Sequence, residues 1–462
     1  MRKFTQRHLR TMLITALCGV VLTFGLTACN GDEAPNTTET DAATTDTESV
    51  SDATEDESAS ESASESASES ESETTLNGTP VSEKLSDILQ NVFTSSKVVN
   101  ETVMFINRDD AKTLLHTPDQ ILSVTSYDGQ KVYEEGRDYE LKDGKLVMCD
   151  LSAIPCIGSD TYYDGDGMLI KNDKNLYWGE GSTMTHWQVC VTYTHSDTWK
   201  RYAQENYSDR YADFIGKLER GEDVTVYFYG DSITAGANAS YFVGIAPYQQ
   251  PYTVLFLQAL AEVFEYTVKF VDVTPGNSSS DKIPTSDLVF GTRGTITYVN
   301  SAVGGWDTRD GLNNMMDIVN NIESYGCDLF VLAFGMNDRF TSTSDVSMMQ
   351  EKMLRQVHEA APDAALMVVA AMVPHIGSNF DNNQKGQWRL LEKIVDKLNN
   401  EDGIPCALAN MTQVSTAIYR TKDFEDCTGN NINHPNDFLG RIYAQTLFQT
   451  LLGYDYIVPA FD

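Results

Sequence analysis

Basic residues are scarce in this chain: 33 Lys and Arg stand against 67 Asp and Glu, a net charge of −34 over 462 residues. Phosphate backbones are held by basic faces, so nucleic acid is excluded as a partner. Cysteine is sparse as well, and its 8 occurrences never take the CxxC or Cys/His spacing of a zinc site. No glycine-rich phosphate loop and no His-Glu-x-x-His helix occurs. The expectation is a protein with neither metal nor cofactor. Gly-x-Ser-x-Gly is also missing, which excludes the usual nucleophile elbow of α/β-hydrolases. The apolar run Thr11 to Phe24 falls short of the roughly 20 residues that a spanning helix requires.

That short run does have a use. Arg2, Lys3, Arg7 and Arg10 precede it and Leu26-Thr27-Ala28-Cys29 follows it. A basic start, a brief apolar core and small residues at the end describe an export signal. Cysteine directly after Leu-Thr-Ala resembles a bacterial lipobox. Residues 1–29 are therefore expected to be a lipoprotein signal, with diacylated Cys29 anchoring an exported protein to the membrane at the cell surface. Residues 31–80 hold 15 Asp and Glu and no Lys or Arg, with Ser-Ala-Ser-Glu repeated. Such a stretch cannot bury enough apolar surface to offset chain entropy, so 30–80 is expected to be a disordered acidic tether. Its fully extended reach is on the order of 170 Å. Six cysteines remain beyond Cys18 and Cys29, and their pairing is open.

Two grammars follow. Over 81–205 the pattern is strand-like: Tyr139–Val147 has an Asp-Gly turn between short alternating runs, and Trp187–Tyr193 alternates as a half-buried strand does. A β-sandwich-like accessory domain is expected there. Over 206–462 the chain reads strand, loop, helix. Uniformly apolar strands at Val224–Phe228, Leu329–Phe334 and Leu366–Met372 suit a parallel sheet covered on both faces. An amphipathic stretch at Tyr252–Tyr266 and further stretches at 346–360, 386–399 and 437–451 are expected to be helices. The expected fold class is α/β, a three-layer domain with a parallel sheet.

Chemistry collects where the strands end. Tyr229-Gly230-Asp231-Ser232 follows the first strand, Asn300-Ser301-Ala302-Val303-Gly304-Gly305-Trp306 the next, and Gly335-Met336-Asn337-Asp338 a third. Asn433-His434-Pro435-Asn436-Asp437 precedes the last helix. α/β folds keep their reactive groups outside the carboxyl ends of strands. A serine hydroxyl needs a base to take its proton, and an ester carbonyl needs donors for its developing oxyanion. These islands supply a nucleophile, oxyanion donors and a base.

In this order the four blocks resemble the SGNH or GDSL-type hydrolase family, over residues of about 222–455, with its flavodoxin-like domain. The resemblance implies that Ser232 is the nucleophile and His434 the base. It makes the Ser232 and Gly305 backbone N–H groups and the Asn337 amide the oxyanion donors. Asp231 and Asp338 then orient loops. His375 is the rival histidine. One departure stands out: the family places aspartate three residues before the histidine, and here that residue is Asn431. A Ser–His dyad with no carboxylate at the usual place is expected, with Asp426 and Asp437 the acids nearest in sequence.

Trp306, beside the oxyanion glycine, is the candidate for stacking on a sugar. Two-domain chains of this plan resemble carbohydrate esterases, so the expected substrate is an acylated glycan or other small ester, acetylated xylan being the leading case. A lipolytic esterase or lysophospholipase is the alternative, and a surface glycan-binding protein with a decayed site is the third reading.

Overall fold

The strand Val224–Gly230 is buried at every residue, and its side chains divide by parity. Val224, Val226 and Phe228 enter one hydrophobic core, while Tyr227 and Tyr229 enter another. Alternation across a pleated sheet with both faces covered produces this division. In the computed structural model, residues 75–76, 79–80, 89–163, 169–170, 174–273, 275, 284, 286–380 and 384–456 are described. The expected export signal, Cys29 and the acidic tether as far as residue 74 lie outside the described residues. Thr75–Leu76 pairs antiparallel with Thr79–Pro80 at the end of the stretch read as tether.

Residues 97–148 and 188–194 contribute two antiparallel sheets, and Leu169–Ile170 pairs antiparallel with Lys174–Asn175 between them. The strands are β1 (Lys97–Met104), β2 (Ala111–Thr113), β3 (Gln120–Ser126), β4 (Val132–Tyr133), β5 (Tyr139–Lys142), β6 (Lys145–Met148) and β7 (Gln188–Thr194). One sheet runs β1-β7-β3-β4 and the other β2-β6-β5. The Asp-Gly turn read from sequence joins β5 to β6, with Asp143 and Gly144 both at positive φ (51° and 74°), as a two-residue hairpin turn requires.

The α/β part is a seven-stranded sheet built from β8 (Val224–Gly230), β9 (Tyr266–Phe270), β10 (Leu288–Val289), β11 (Gly294–Asn300), β12 (Leu329–Ala333), β13 (Ala365–Ala370) and β14 (Cys406–Asn410). Its order is β10-β9-β11-β8-β12-β13-β14, parallel throughout except for the edge strand β10. Helices α1 (Tyr252–Phe264) and α4 (Asp437–Leu451) cover one face. The opposite face carries Met315–Tyr325 together with α2 (Thr343–Ala360) and α3 (Gln384–Asn400). This is the expected three-layer architecture. Helix α1 departs from the amphipathic reading, since every residue from Tyr252 to Ala261 is buried. It lies between the sheet and α4, and only its last turn, at Glu262, is exposed. It also stops at Phe264, where Glu265 turns into the left-handed region (φ 59°) and β9 begins.

Residues 81–205 and 206–462, read above as two domains, fall in one compact unit, Ser70–Asp462. A single core runs through Val103, Val124 and Val191 of the antiparallel part and into Phe438, Ile442 and Leu447 of α4. Polar ties cross the same boundary. Arg441 donates to the Asn100 carbonyl at 2.7 Å, and fully buried Lys422 pairs with fully buried Glu101 at 2.5 Å.

Candidate active site

Four of the sequence islands meet at the carboxyl ends of β8, β11 and β12. A Cβ on Gly230 would stand 2.5 Å from the Ala333 carbonyl oxygen. Only glycine lets β8 and β12 run this close immediately ahead of Ser232. Asp231 then caps the short helix Ser232–Ala235, its Oδ1 accepting from the Ile233 N–H at 3.0 Å. Ser232 is thereby turned toward the loop before α4, where its Oγ lies 2.8 Å from His434 Nε2.

That loop is over-determined. Asn430 Oδ1 accepts from the backbone N–H groups of Ile432, Asn433 and His434, each at 3.0 Å. The His434 carbonyl accepts from Thr428 Oγ1 and Gly429 N. Asn436 caps α4 through the Leu439 N–H. A buried polar network satisfied to this degree holds the imidazole in a single placement.

On the other side of Ser232, a Cβ on Gly304 would sit 3.8 Å from Ser232 Cβ. Gly305 follows with φ +82° and open space where a side chain would project. Asn337 is half-buried and donates from Nδ2 to the Trp306 carbonyl at 2.9 Å, one of the two hydrogens that an amide offers. Trp306 itself is half-buried and packs against the core around Tyr229 and Phe334. Asp338 Oδ2 accepts from Thr308 Oγ1 at 2.7 Å and ties the two loops together. Burial raises Asp231 to about 7, against the Ile233 N–H and the nearby His434, with Asp338 adding repulsion. Burial likewise lifts Asp338 to about 6, opposed by its bonds from Thr308.

The expectation of a bare dyad is corrected. A carboxylate does reach the far nitrogen of the imidazole, from 254 residues earlier in the chain: Glu180 Oε2 is 3.0 Å from His434 Nδ1. Asn238 Oδ1 is a second acceptor at 2.7 Å. Neither acid named from sequence fills that place. Asp426 accepts from the Met104 N–H and pairs with Lys112, and Asp437 accepts from the Ser240 N–H. Asn431 faces away, its Nδ2 donating to the Tyr177 carbonyl at 2.8 Å and to Tyr162 Oη at 3.0 Å. His375 is tied by its N–H to the Ile432 carbonyl and stands edge-on to Phe424. A cavity of about 720 Å³ opens between His375, Trp388, Tyr419 and Phe424, and none of Ser232, Gly305, Asn337 or His434 lines it.

Glu180 had one local signal, a lone acid between two glycines, Gly179 and Gly181. Asn238 had another, an asparagine in a position suited to the left-handed region, where it is found (φ 65°). Neither signal names a partner.

The model of the GDSL-like Lipase/Acylhydrolase family matches residues 228–438. This chain carries a GDSL-like lipase/acylhydrolase domain. The chemistry of such a domain is carboxylic ester hydrolysis, and its span includes Ser232, Gly305, Asn337 and His434 but not Glu180. No curated protein matches the chain. Among solved structures, a two-domain esterase active on acetylated mannans aligns with TM-score 0.37 at 15% identity, covering 56% of this chain and 59% of that one. Est24, a carbohydrate acetylesterase from Sinorhizobium meliloti, aligns with TM-score 0.31 at 14% identity over 49% of this chain and 96% of its own. A family 3 carbohydrate esterase of Clostridium thermocellum gives 0.33 at 12% over 49% and 94%.

Proposed function

We propose that the GDSL-like domain is a serine esterase that removes O-acetyl groups from a polysaccharide such as acetylated xylan. The observation that carries the esterase reading is the 2.8 Å contact between Ser232 Oγ and His434 Nε2 beside an open glycine turn. In the first half-reaction Ser232 Oγ bonds to the ester carbonyl carbon as its proton passes to His434 Nε2. The oxyanion then faces the N–H groups of Ser232 and Gly305 and the remaining Asn337 hydrogen. Collapse breaks the bond to the sugar oxygen, which leaves with the proton from His434. Water repeats the sequence on the acyl-enzyme and releases acetate and free serine.

The glycan part rests on other features. Gly304 and Gly305 are exposed and Trp306 stands next in the chain, so a bulky ring has access to the site. Acetylated mannans and carbohydrate acetyl esters, named for the structural neighbours, are substrates to test. The proposal includes export and anchoring through Cys29, supported by Leu26-Thr27-Ala28-Cys29 and the acidic stretch that follows. A tethered enzyme suits a polymeric, immobile substrate.

The test is acetate release from acetylated xylo-oligosaccharides by the full chain, beside acetyl and octanoyl p-nitrophenyl esters, with Ser232→Ala as control. Acetate release that disappears in the variant, with little octanoyl turnover, supports the proposal. Octanoyl turnover without acetate release assigns the site to lipid esters instead. Inactivity on all three substrates revives the binding protein with a decayed site. Loss of palmitate incorporation in Cys29→Ala tests the anchor separately.

A further inference from the structure

The catalytic histidine of this chain is served by two different groups at one nitrogen, and the structure assigns them different tasks. We infer that Asn238 fixes the orientation of the His434 ring, whereas Glu180, delivered by the segment 176–182 of the β-rich part, is the positioning residue that supplies the negative charge. The inference rests on the serine esterase reading.

The assignment of Asn238 follows from its other bonds. Its Nδ2 donates to the Gly181 carbonyl at 3.0 Å and to the Gly429 carbonyl at 3.2 Å. Both amide hydrogens are thereby directed at carbonyls, so Oδ1 is the atom left for His434 Nδ1. An acceptor at Nδ1 keeps the proton there and leaves Nε2 free to receive the proton of Ser232. Asn238 is almost fully buried, and its contact is the shorter of the two, 2.7 Å against 3.0 Å for Glu180.

A neutral amide holds a tautomer but does little for the imidazolium that forms as serine attacks. Glu180 is the group that can. The Glu180 side chain remains 56% exposed, and three hydrogen bonds to Asn430 and Asn431 hold it and its segment in position. Asn430 Nδ2 donates to Oε1 at 3.0 Å, the Gly179 N–H reaches the Asn430 carbonyl at 3.4 Å, and Asn431 holds the Tyr177 carbonyl three residues upstream. The residue at the usual aspartate position therefore docks the segment that brings the replacement acid. Aspartate at 431 has no hydrogens with which to do this. Partial burial works against ionisation of Glu180, but the bond and charge of His434 and the Asn430 amide keep its carboxyl below the usual range.

The titratable groups facing His434 are Glu180 at Nδ1 and Asp231 beside Ser232, which burial keeps protonated through the acid range. With Asp231 unchanged, removing the Glu180 charge makes the imidazolium less favourable. The histidine then releases its proton at lower pH, and the acid limb of the kcat/KM profile moves down.

The experiment compares Glu180→Gln, Glu180→Asp and Asn238→Ala with the parent full chain on p-nitrophenyl acetate across pH, and titrates the His434 ring by NMR. Glu180→Gln is expected to lower kcat roughly 10- to 100-fold with KM nearly unchanged, the size of a lost charge-assisted contact. Both the acid limb and the NMR titration should move to lower pH, and Glu180→Asp should recover part of the loss. Asn238→Ala should lower kcat without that displacement. A Glu180→Gln variant with the parent's kcat, acid limb and NMR titration overturns the inference and leaves Asn238 as the sole partner. The NMR titration depends on no substrate. If it moves while Ser232→Ala keeps full activity, the esterase reading fails and the charge assignment stands.

Discussion

Replacing Asn431 by aspartate restores the residue that the family pattern calls for, and the structure predicts that it harms the protein. The backbone is not the obstacle: Asn431 sits at φ +65°, which aspartate tolerates about as well as asparagine. The hydrogens are. Fully buried Asn431 donates to the Tyr177 carbonyl at 2.8 Å and to Tyr162 Oη at 3.0 Å. Aspartate offers neither bond, and Tyr162 can turn to donate while the Tyr177 carbonyl cannot. An unsatisfied buried acceptor costs about 1–3 kcal/mol, and a carboxyl in the same place adds the cost of burying a charge or raising its pKa. A destabilisation of about 2–4 kcal/mol follows. The side chain points at Tyr162 and Tyr177, so no carboxylate arrives at His434, and the segment carrying Glu180 loses a mooring. Urea titration of Asn431→Asp beside the parent, with kcat on p-nitrophenyl acetate, measures both effects. A variant as stable as the parent, or one with higher kcat, would refute the reasoning.

Other expectations follow from the same geometry. Asn337→Ala should lower kcat by about 10²–10³, as loss of one oxyanion donor does, and Gly305→Ala should cost roughly 1–2 kcal/mol of stability through its positive φ alone, both readable by kinetics and thermal unfolding. Asp231, raised to about 7 by burial, holds its proton more tightly folded than unfolded. Its contribution is therefore present in acid and lost as pH rises from about 4 toward 7. Asp231→Asn should be more stable than the parent near neutrality and indistinguishable from it near pH 4, which melting curves across pH would check. Glu101→Gln leaves Lys422 buried with half its partners and should cost about 3–5 kcal/mol in urea titration.

The sheet and the placement of Ser232 at a strand end were legible because each depends on neighbours in sequence. The apolar runs of β8, β12 and β13 announce strands buried on both sides, and Ser232, Gly305 and Asn337 each follow a strand within a few residues. Strand β14, Cys-Ala-Leu-Ala-Asn, is made of small residues with little strand preference and has no such pattern. The acid at His434 was not legible for a different reason. Its contact spans 254 residues, and no periodicity or motif couples a Gly-Glu-Gly turn to a histidine that distant. Asn431 was read as standing where the family has aspartate, and what it does there depends on a carbonyl in another part of the fold.

The distance between Glu180 and His434 along the chain has a kinetic consequence. During folding, the parallel sheet can form and bury its tyrosines while the segment around residue 180 is still undocked, and full ester turnover has to wait for that closure. Turnover is thus a clock for the last long-range step, and it should recover later than tyrosine fluorescence when the chain refolds. Until its two halves meet, a newly made chain is expected to turn over ester only at the reduced rate of the Glu180→Gln variant.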